Sequence, residues 1–222
     1  MENKVIKYYT NENIYREEYY KNDKLHRENG PAIIEYYTNG NIRIEEYYKN
    51  DELHNDKGPA KIIYYKNGKI ESERYYKDGL WHRENGPATI EYYKNGNIRI
   101  EEYYKNCDLH RENGPATITY DEDGNKMTEY YYKNDKKHRE DGAAVISYRV
   151  DGTISWEECY INGEQIFDST EIENYIYTDK PIKIRNVIKL KLLYGIFKQR
   201  GLEDKEEEIG KKLLLKTLLQ WR

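Results

Sequence analysis

The chain has 222 residues, of which 35% are charged and 37% are hydrophobic, and its formal net charge is −4. It lacks the excess of Lys and Arg that phosphate contacts need, which excludes nucleic-acid binding by the whole surface. The start, MENKVIKYY, carries no apolar run, and no stretch approaches the ~20 apolar residues of a membrane span. Cys107 and Cys159 suggest no disulfide framework. We therefore expect a soluble, intracellular protein of the cytoplasm.

One short motif recurs at a fixed interval along most of the chain. The residues HRENGPA stand at 26–32, 82–88 and 110–116, and altered versions stand at 54–60 and 138–144. The first residue of each copy is His, and successive histidines are 28 residues apart. Fixed self-similarity of this kind is the signature of a repeat architecture. We predict a six-copy array over residues 1–166, followed by a Leu-rich segment over 167–222.

Each copy predicts a β-hairpin, a second turn and a corner. In the second copy, the β-prone runs Ala32–Tyr37 and Ile42–Tyr48 flank an Asn-Gly pair at 39–40. Both residues of such a pair tolerate positive φ, which makes it a strong signal for a tight hairpin turn. A second turn is predicted at 50–51. The Gly-Pro pair at 58–59 forms the corner, because Gly allows unusual φ and Pro ends a ladder.

The strands repeat along one face. Ala32, Ile34 and Tyr36 have identical counterparts in the later copies, whereas the position of Ile33 becomes Lys, Thr, Thr and Val. Successive strand residues point to opposite faces, so we expect one face to pack and the other to tolerate water. Each doubled tyrosine places one ring on either side of the sheet. The pattern predicts a mainly β fold, an elongated single-layer antiparallel β-hairpin repeat array stabilised between neighbouring units.

The stretch EEYYKNDKLHRENGPA resembles the MORN repeat, whose unit has an aromatic residue, an Asn/Asp-Gly turn, a His and a closing Gly. Tyr19 and Tyr20, the turn at 22–23, His26 and Gly30 follow that order. The resemblance covers about residues 4–166 and is strongest for the longer variants of giant DNA viruses of amoebae and some bacteria. It implies stacked hairpins that serve protein scaffolding, dimerisation and sometimes lipid contact, in the host cytoplasm or a virion if the source is viral.

Two sets of polar residues recur with the repeat. Neighbouring units of two or more strands stand about 10 Å apart, so two histidines cannot share a zinc ion, which bonds nitrogen at about 2.0–2.1 Å. A catalytic site needs different groups that converge on one pocket, which a row of equal carboxylates does not provide. We predict structural joints, in which His bonds a backbone carbonyl or the Glu, and Glu accepts from Tyr, His or an Arg such as Arg27. The predicted joint residues are His26, His54, His82, His110, His138, Glu17, Glu45, Glu73, Glu101, Glu129 and Glu157.

The Leu-rich segment predicts two helices. Apolar residues of 184–197 fall at spacings of three and four between Pro181 and Gly201, and a second helix is predicted over Glu203–Gln220. An α-helical hairpin at the end of an array would cap the exposed sheet edge. Alternatively, the basic, amphipathic first helix would dock onto a partner or a membrane.

We predict a non-enzymatic protein–protein interaction or scaffolding module without catalytic residues, metal or cofactor. The alternative is a lipid- or glycan-recognition module, and an inert spacer or a metalloenzyme is weighed below both. We expect a protein partner and no nucleic acid, while a homo-oligomer and membrane contact stay open. The candidate partner-binding residues are Tyr37, Tyr65, Tyr93, Lys183, Arg185, Lys189 and Lys191.

Overall fold

The computed structural model describes residues 2–167, which form six units built from β-strands. The predicted helices, their cap or docking role, and Lys183, Arg185, Lys189 and Lys191 lie outside the described residues. Each unit contributes a long hairpin to one sheet. The first strands of these hairpins are β1 (Glu2–Tyr8), β4 (Ile33–Tyr36), β8 (Lys61–Tyr64), β12 (Thr89–Tyr92), β16 (Thr117–Tyr120) and β20 (Val145–Tyr148). The second strands are β2 (Ile14–Lys21), β5 (Ile42–Glu46), β9 (Ile70–Arg74), β13 (Ile98–Glu102), β17 (Lys126–Tyr130) and β21 (Ile154–Ile161).

The long hairpins line up in chain order in a single antiparallel sheet. The sheet has 14 strands, because β3 (Lys24–Leu25) pairs with β2 and β22 (Glu164–Phe167) pairs with β21 at the end of the row. Every long strand is hydrogen-bonded to its neighbours in sequence, so each unit packs against the next one. The predicted mainly β, antiparallel hairpin sheet is confirmed.

A short second hairpin follows the long one. Four of these hairpins form separate two-stranded sheets. They are β6 (Tyr48–Lys49) with β7 (Glu52–Leu53), β10 (Tyr76–Lys77) with β11 (Leu80–Trp81), β14 (Tyr104–Lys105) with β15 (Asp108–Leu109), and β18 (Tyr132–Lys133) with β19 (Lys136–Lys137). The tips stack along the array: the N–H of Asp51 donates to Leu25 O and that of Gly79 to Leu53 O, each at 3.0 Å.

The turn at 39–40 differs in geometry from the expectation. Gly40 has φ 85°, but Asn39 has no positive φ. The Gly40 N–H donates to Tyr37 O at 2.9 Å, and the Tyr37 N–H donates to Asn41 O at 2.8 Å. These bonds define a type I turn closed by a left-handed Gly rather than a two-residue turn. The predicted hairpin forms at the Asn-Gly pair, but only Gly40 of the pair takes a positive φ.

The two-residue turn lies in the short hairpin instead. Asn50 and Asp51 have φ of 54° and 72°, and they connect Lys49 to Glu52, which face each other in the ladder. Asn and Asp tolerate left-handed backbone better than other non-Gly residues, which explains why they stand here. The predicted second turn is therefore the tighter of the two.

Side chains alternate along each strand, which gives the sheet two faces. The repeating face carries Ala32, Ile34, Tyr36, Glu45, Tyr47 and their counterparts in the other units. The variable face carries Ile33, Glu35, Ile44, Glu46, Tyr48 and their counterparts.

Both faces bury residues. On the repeating face the alanines are fully covered, and Ala32 and Ala116 are each 0% exposed. On the variable face Ile33 is 2% and Val145 0% exposed, whereas the equivalent Lys61 and Thr117 are partly exposed, so the expectation that this face tolerates water fails only at some units. The reason lies in the register, because Ile33 stands between Glu18 and Glu46, whose longer side chains shield it.

Candidate interaction surface

A ladder of alternating Ile and Glu crosses the repeating face. Ile34 pairs with Glu17 on one side and with Glu45 on the other. The ladder continues through Ile62, Glu73, Ile90, Glu101, Ile118, Glu129, Ile146 and Glu157. Each carboxylate stands between aliphatic neighbours on the adjacent strands. It therefore needs a polar partner from elsewhere, because a buried charge without one is costly.

Tyrosine hydroxyls of the following unit supply these partners. The donors and acceptors are Tyr64 to Glu45 (2.6 Å), Tyr92 to Glu73 (2.9 Å), Tyr120 to Glu101 (2.8 Å) and Tyr148 to Glu129 (2.9 Å). Burial, together with the hydrogen bond to Glu45, raises the pKa of Tyr64 above its ordinary value, so the hydroxyl remains protonated and donating. Each of these bonds joins two consecutive units.

The first carboxylate of the ladder has a cation as well. Glu17 accepts from Lys4 Nζ at 3.0 Å and from the Tyr19 hydroxyl at 2.9 Å. Burial alone would raise the pKa of Glu17, but the two hydrogen bonds outweigh burial and the pKa lies below its ordinary value. Glu17 is therefore ionised and paired in the folded state.

The recurring arginines stack on tyrosines instead of bonding the Glu ladder. The Cζ atoms of Arg27, Arg83, Arg111 and Arg139 lie 3.8, 3.9, 3.7 and 3.9 Å from the ring centroids of Tyr19, Tyr75, Tyr103 and Tyr131. Of the donors expected for the ladder Glu, Tyr is the one observed in four units, whereas Arg27 Nη1 donates to Pro31 O at 3.2 Å. In the second unit Asn55 keeps that bond, to Pro59 O at 2.9 Å. The recurrence of Arg beside His was the sequence signal for this contact.

The histidines contact the short hairpin of the next unit. His54 Nδ1 accepts from the Asp78 N–H at 3.2 Å, and His138 Nδ1 accepts from the Asn162 N–H at 3.1 Å. The partner expected from the sequence, a carbonyl or the ladder Glu, is therefore wrong for these residues. His54 Nδ1 also lies 2.8 Å from Asp78 Oδ1, so this ring contacts both the backbone and the side chain of the turn residue. That these contacts act as joints stays a prediction.

His110 makes the same contact in the fourth unit. Its Nδ1 lies 2.8 Å from Asn134 Oδ1 and 3.3 Å from the Asn134 backbone N. His26 Nδ1 is buried and meets no hydrogen-bond partner within residues 2–167, and the side chain of His82 is exposed. The five histidines thus stand at equivalent positions with unequal contacts.

The tyrosines proposed for partner binding also bond between units. Tyr37, Tyr65 and Tyr93 donate to the backbone oxygens of Tyr64, Tyr92 and Tyr120 at 2.7, 2.7 and 2.8 Å. Their hydroxyls are thus engaged inside the array. Any partner would meet the ring edges rather than a free hydroxyl, and their binding role stays a prediction.

The variable face carries different groups in each unit. Glu35 accepts from Arg43 in the second unit. Lys61 Nζ lies 2.7 Å from Glu46 Oε1 across the seam, the boundary between two consecutive units. Met127 occupies the position equivalent to Arg43 and is 47% exposed. A partner that runs along this face would therefore meet a different set of charges and apolar groups at every unit.

An aromatic cluster lies on the same side. The Trp81 ring centroid stands 5.7 Å from that of Tyr76 and 4.9 Å from that of Tyr104, in stacked geometry. Tyr76 belongs to the same unit and Tyr104 to the next one. Trp81 therefore connects two short hairpins by ring stacking, a contact the other units lack because they carry Leu, Lys or Gln there.

The arrangement of titratable groups fits contacts between units better than catalysis. Equal carboxylates recur along the ladder, four of them with a Tyr donor from the following unit, and groups of different chemistry do not converge on one point of the ladder. Within residues 2–167, no group of three or more His, Cys, Asp or Glu side chains could hold a metal ion. In the same range no helix is long and apolar enough to cross a membrane.

Comparison with known proteins identifies the repeat. The family described as MORN repeat variant matches residues 33–50, 61–78, 88–106 and 116–134. Each match runs from the first strand of a long hairpin to the following two-residue turn, and the HRENGPA corners lie mostly between the matches. No curated protein and no solved structure matches the chain.

The single antiparallel sheet and its seam contacts define a β-hairpin repeat protein. The four family matches, at an interval of about 28 residues over 33–134, support a MORN-repeat-like protein. MORN repeats commonly mediate protein or membrane interactions and are generally not catalytic. A viral source and a cytoplasmic location stay predictions.

Proposed function

We propose that the chain is a non-enzymatic scaffolding module that binds a protein partner along its variable face. The observation that carries the proposal is the contrast between the two faces. The repeating face uses its polar groups for contacts between units, whereas the variable face changes its side chains from unit to unit on the same backbone. Repeat proteins bind partners through such extended surfaces, because stacked units hold different side chains in fixed register.

Three features of the variable face support protein recognition. Its cations and anions alternate, as in the Lys61–Glu46 and Arg99–Glu91 pairs. Apolar groups such as Met127 are exposed between them. Mixed polar and apolar surface of this kind is typical of protein interfaces that form and dissociate. A strongly basic surface, which an anionic membrane would require, is not seen on these strands.

The test is quantitative affinity purification with the full chain as bait. The variable-face variant carries Arg99→Ala and Met127→Ala, and the control carries Lys94→Ala and Glu122→Ala at exposed hairpin loops. We expect a protein whose recovery falls at least tenfold with the variable-face variant and is unchanged with the control. Recovery that is equal for both variants would contradict the proposal.

A glycan is the second candidate, and the Trp81 cluster favours it. Tyr76, Trp81 and Tyr104 form one aromatic stack, and aromatic surface of this kind can contact the apolar face of a sugar. Titration of soluble glycans into the full chain, followed by Trp fluorescence, tests this function. Saturable quenching that disappears in Trp81→Leu, the residue found in other units, would favour glycan recognition over a protein partner.

A further inference from the structure

Each of the first four units sends one tyrosine across the seam at the loop end of its long hairpin. The hydroxyl of this tyrosine donates to the backbone oxygen of a tyrosine in the next unit, at 2.7–2.8 Å. The donors are Tyr9, Tyr37, Tyr65 and Tyr93, and the acceptors are the O atoms of Tyr36, Tyr64, Tyr92 and Tyr120. The loop end of these seams is therefore closed by the same ring and the same bond.

The fifth unit carries Asp121 at this position. The backbone keeps the turn of the other units, since the Asp121 N–H donates to Asn125 O at 3.0 Å and the Gly124 N–H donates to Asp121 O at 3.1 Å. The Asp121 side chain turns back to its own loop, where Oδ1 accepts from the backbone N–H of Asn125 at 2.8 Å. Hydrogen bonds from the side chain and the backbone of Asn125 hold the pKa of Asp121 below its ordinary value, so the ionised carboxylate has no proton to donate.

The seam between units five and six consequently lacks its closing contacts. Within residues 2–167 no side chain donates to Tyr148 O, the counterpart of the four acceptors. Asn97 Nδ2 donates to Glu122 O across the preceding seam at 2.8 Å, whereas its counterpart Asn125 bonds its own loop. A cleft of about 390 Å³ lies between the loops of the two units, and Val150, which lines it, is 83% exposed.

An apolar side chain also lies uncovered beside the place of the missing ring. In the first unit the rings of Tyr9 and Tyr15 pack with their centroids 5.2 Å apart. Met127 stands at the position of Tyr15 in the fifth unit and is 47% exposed. A thioether contacts aromatic rings favourably. The fifth unit thus offers an apolar contact and a backbone acceptor at the positions that hold a tyrosine ring in the first unit.

We propose that this gap between units five and six binds a phenol group, supplied by a tyrosine side chain of the protein partner. The ring packs beside Met127, and its hydroxyl donates to Tyr148 O, as in the preceding seams. The occupant is inferred from the chain itself, which fills the equivalent place with a tyrosine at four seams. The source of the phenol rests on the proposed function, whereas the site can be tested without a partner.

The test measures binding of p-cresol, which is the tyrosine side chain without its backbone, to the full chain by NMR titration. We expect one saturable site, with the largest shifts at the amides of Met127 and Arg149, which adjoin the proposed contacts. N-Acetyltyrosinamide should bind the same site. The oxygen of p-methylanisole cannot donate, so this compound should bind about tenfold more weakly, as expected for the loss of one hydrogen bond.

Two variants exchange the loop chemistry of neighbouring units. Asp121→Tyr supplies the missing ring, so it should abolish p-cresol binding and raise the unfolding midpoint. Tyr93→Asp copies the fifth unit into the fourth and should create a second site. Tyr93→Phe is the matched control, because it keeps the ring in place, and the number of sites should stay at one. Circular dichroism checks the fold, and if Tyr93→Asp misfolds, Tyr37→Asp makes the same exchange two units earlier.

Binding of p-cresol that persists in Asp121→Tyr would show that the probe binds elsewhere and would overturn the proposal. Titrations of the unaltered chain without saturable binding would overturn it as well. Binding of p-cresol without binding of N-acetyltyrosinamide would exclude a tyrosine as the source of the phenol. These measurements use no partner, so their failure is distinguishable from failure of the proposed function, which shows only in affinity purification.

Discussion

On the repeating face the side chains of one unit bond those of the next in the same way at almost every seam. The Tyr–Glu bond recurs four times at 2.6–2.9 Å, and an Arg lies over a Tyr ring in four units. On the variable face the position of Ile33 holds Lys61, Thr89, Thr117 and Val145 in later units. Both faces belong to the same strands and share one hydrogen-bond ladder.

This difference shows how a single-layer sheet can be stable without a common core. One face holds the register by contacts that must be rebuilt at each seam, so its residues are fixed by their neighbours. The other face also carries contacts between units, such as Lys61–Glu46 and Trp81–Tyr104, but their chemistry differs from one pair of units to the next. Its residues can therefore differ between units, which leaves them available for a partner.

The largest difference between the faces is expected in the free energy of unfolding when a larger side chain is introduced. Ala116 is 0% exposed on the repeating face, and Thr117 beside it points to the variable face and is partly exposed. Ala116→Leu should lower the free energy of unfolding by about 2–3 kcal/mol, because a packed site cannot take extra methylenes without strain. Thr117→Leu should change it by less than about 0.5 kcal/mol. Urea unfolding measures both, and equal losses would contradict the contrast.

A smaller loss is expected when one seam bond is removed. Tyr120→Phe leaves the Glu101 carboxylate without its donor and should cost about 1.5 kcal/mol, as is typical of a hydrogen bond to a charged group. Tyr15→Phe is the matched control, because Tyr15 contacts Tyr9 through its ring and its hydroxyl bonds no described residue. Thermal unfolding should separate the two variants by several degrees. Identical unfolding midpoints would show that the Tyr–Glu bond does not stabilise the contact between units.

The histidines offer an internal comparison of the predicted joints. His54→Ala removes the acceptor of the Asp78 N–H and should cost about 1 kcal/mol, whereas His82→Ala, at an exposed side chain, should cost less than half of that. Hydrogen exchange at the Asp78 amide should accelerate in the first variant only. Added zinc should not change the unfolding midpoint of either variant. A zinc-dependent rise that His54→Ala abolishes would favour a metal site over a joint.

The sequence alone was sufficient to predict the repeat period, the hairpins and the residues at which neighbouring units meet. Identical spacing of the histidines and the fixed Ala32, Ile34 and Tyr36 face can arise only if each unit meets its neighbours in one way. Alternation along the strand also predicts that Tyr103 and Tyr104 point to opposite faces of the sheet. In the structure Arg111 covers the Tyr103 ring, and Trp81 stacks on the Tyr104 ring.

The sequence alone did not predict the features that depend on a β-bulge or on the conformation of a long side chain. Tyr36 pairs with Ile42 and Glu35 with Ile44, which leaves Arg43 as an extra residue in the second strand. With Arg43 outside the pairing, Tyr37 faces Asn41 and only residues 38–40 remain in the turn, yet the apolar pattern of the strand is unchanged. Shielding of Ile33 depends likewise on the rotamers of longer neighbours, which alternation of residue types does not reveal.

The smallest effect concerns charge on the variable face. Glu102 stands between Thr89 and Thr117, and burial raises its pKa although the Tyr104 hydroxyl donates to it at 3.1 Å. The folded chain therefore binds this proton at a higher pH than the unfolded chain, in which Glu titrates near about 4.3. Stability contributed by Glu102 is highest below that pH and is lost as the pH rises through the folded pKa.

Glu102→Gln should consequently raise the free energy of unfolding at pH 7, by less than about 1 kcal/mol because the half-buried carboxyl is partly screened by water. The gain should vanish at acidic pH. Glu17→Gln is the matched opposite, because the pKa of Glu17 lies below its ordinary value. Its stabilisation is present above the unfolded pKa and lost as the pH falls through the folded one, so this variant should be less stable at pH 7. Unfolding curves between pH 3 and 8 that shift in the same direction for both variants would contradict the opposite pKa shifts of these two carboxyls.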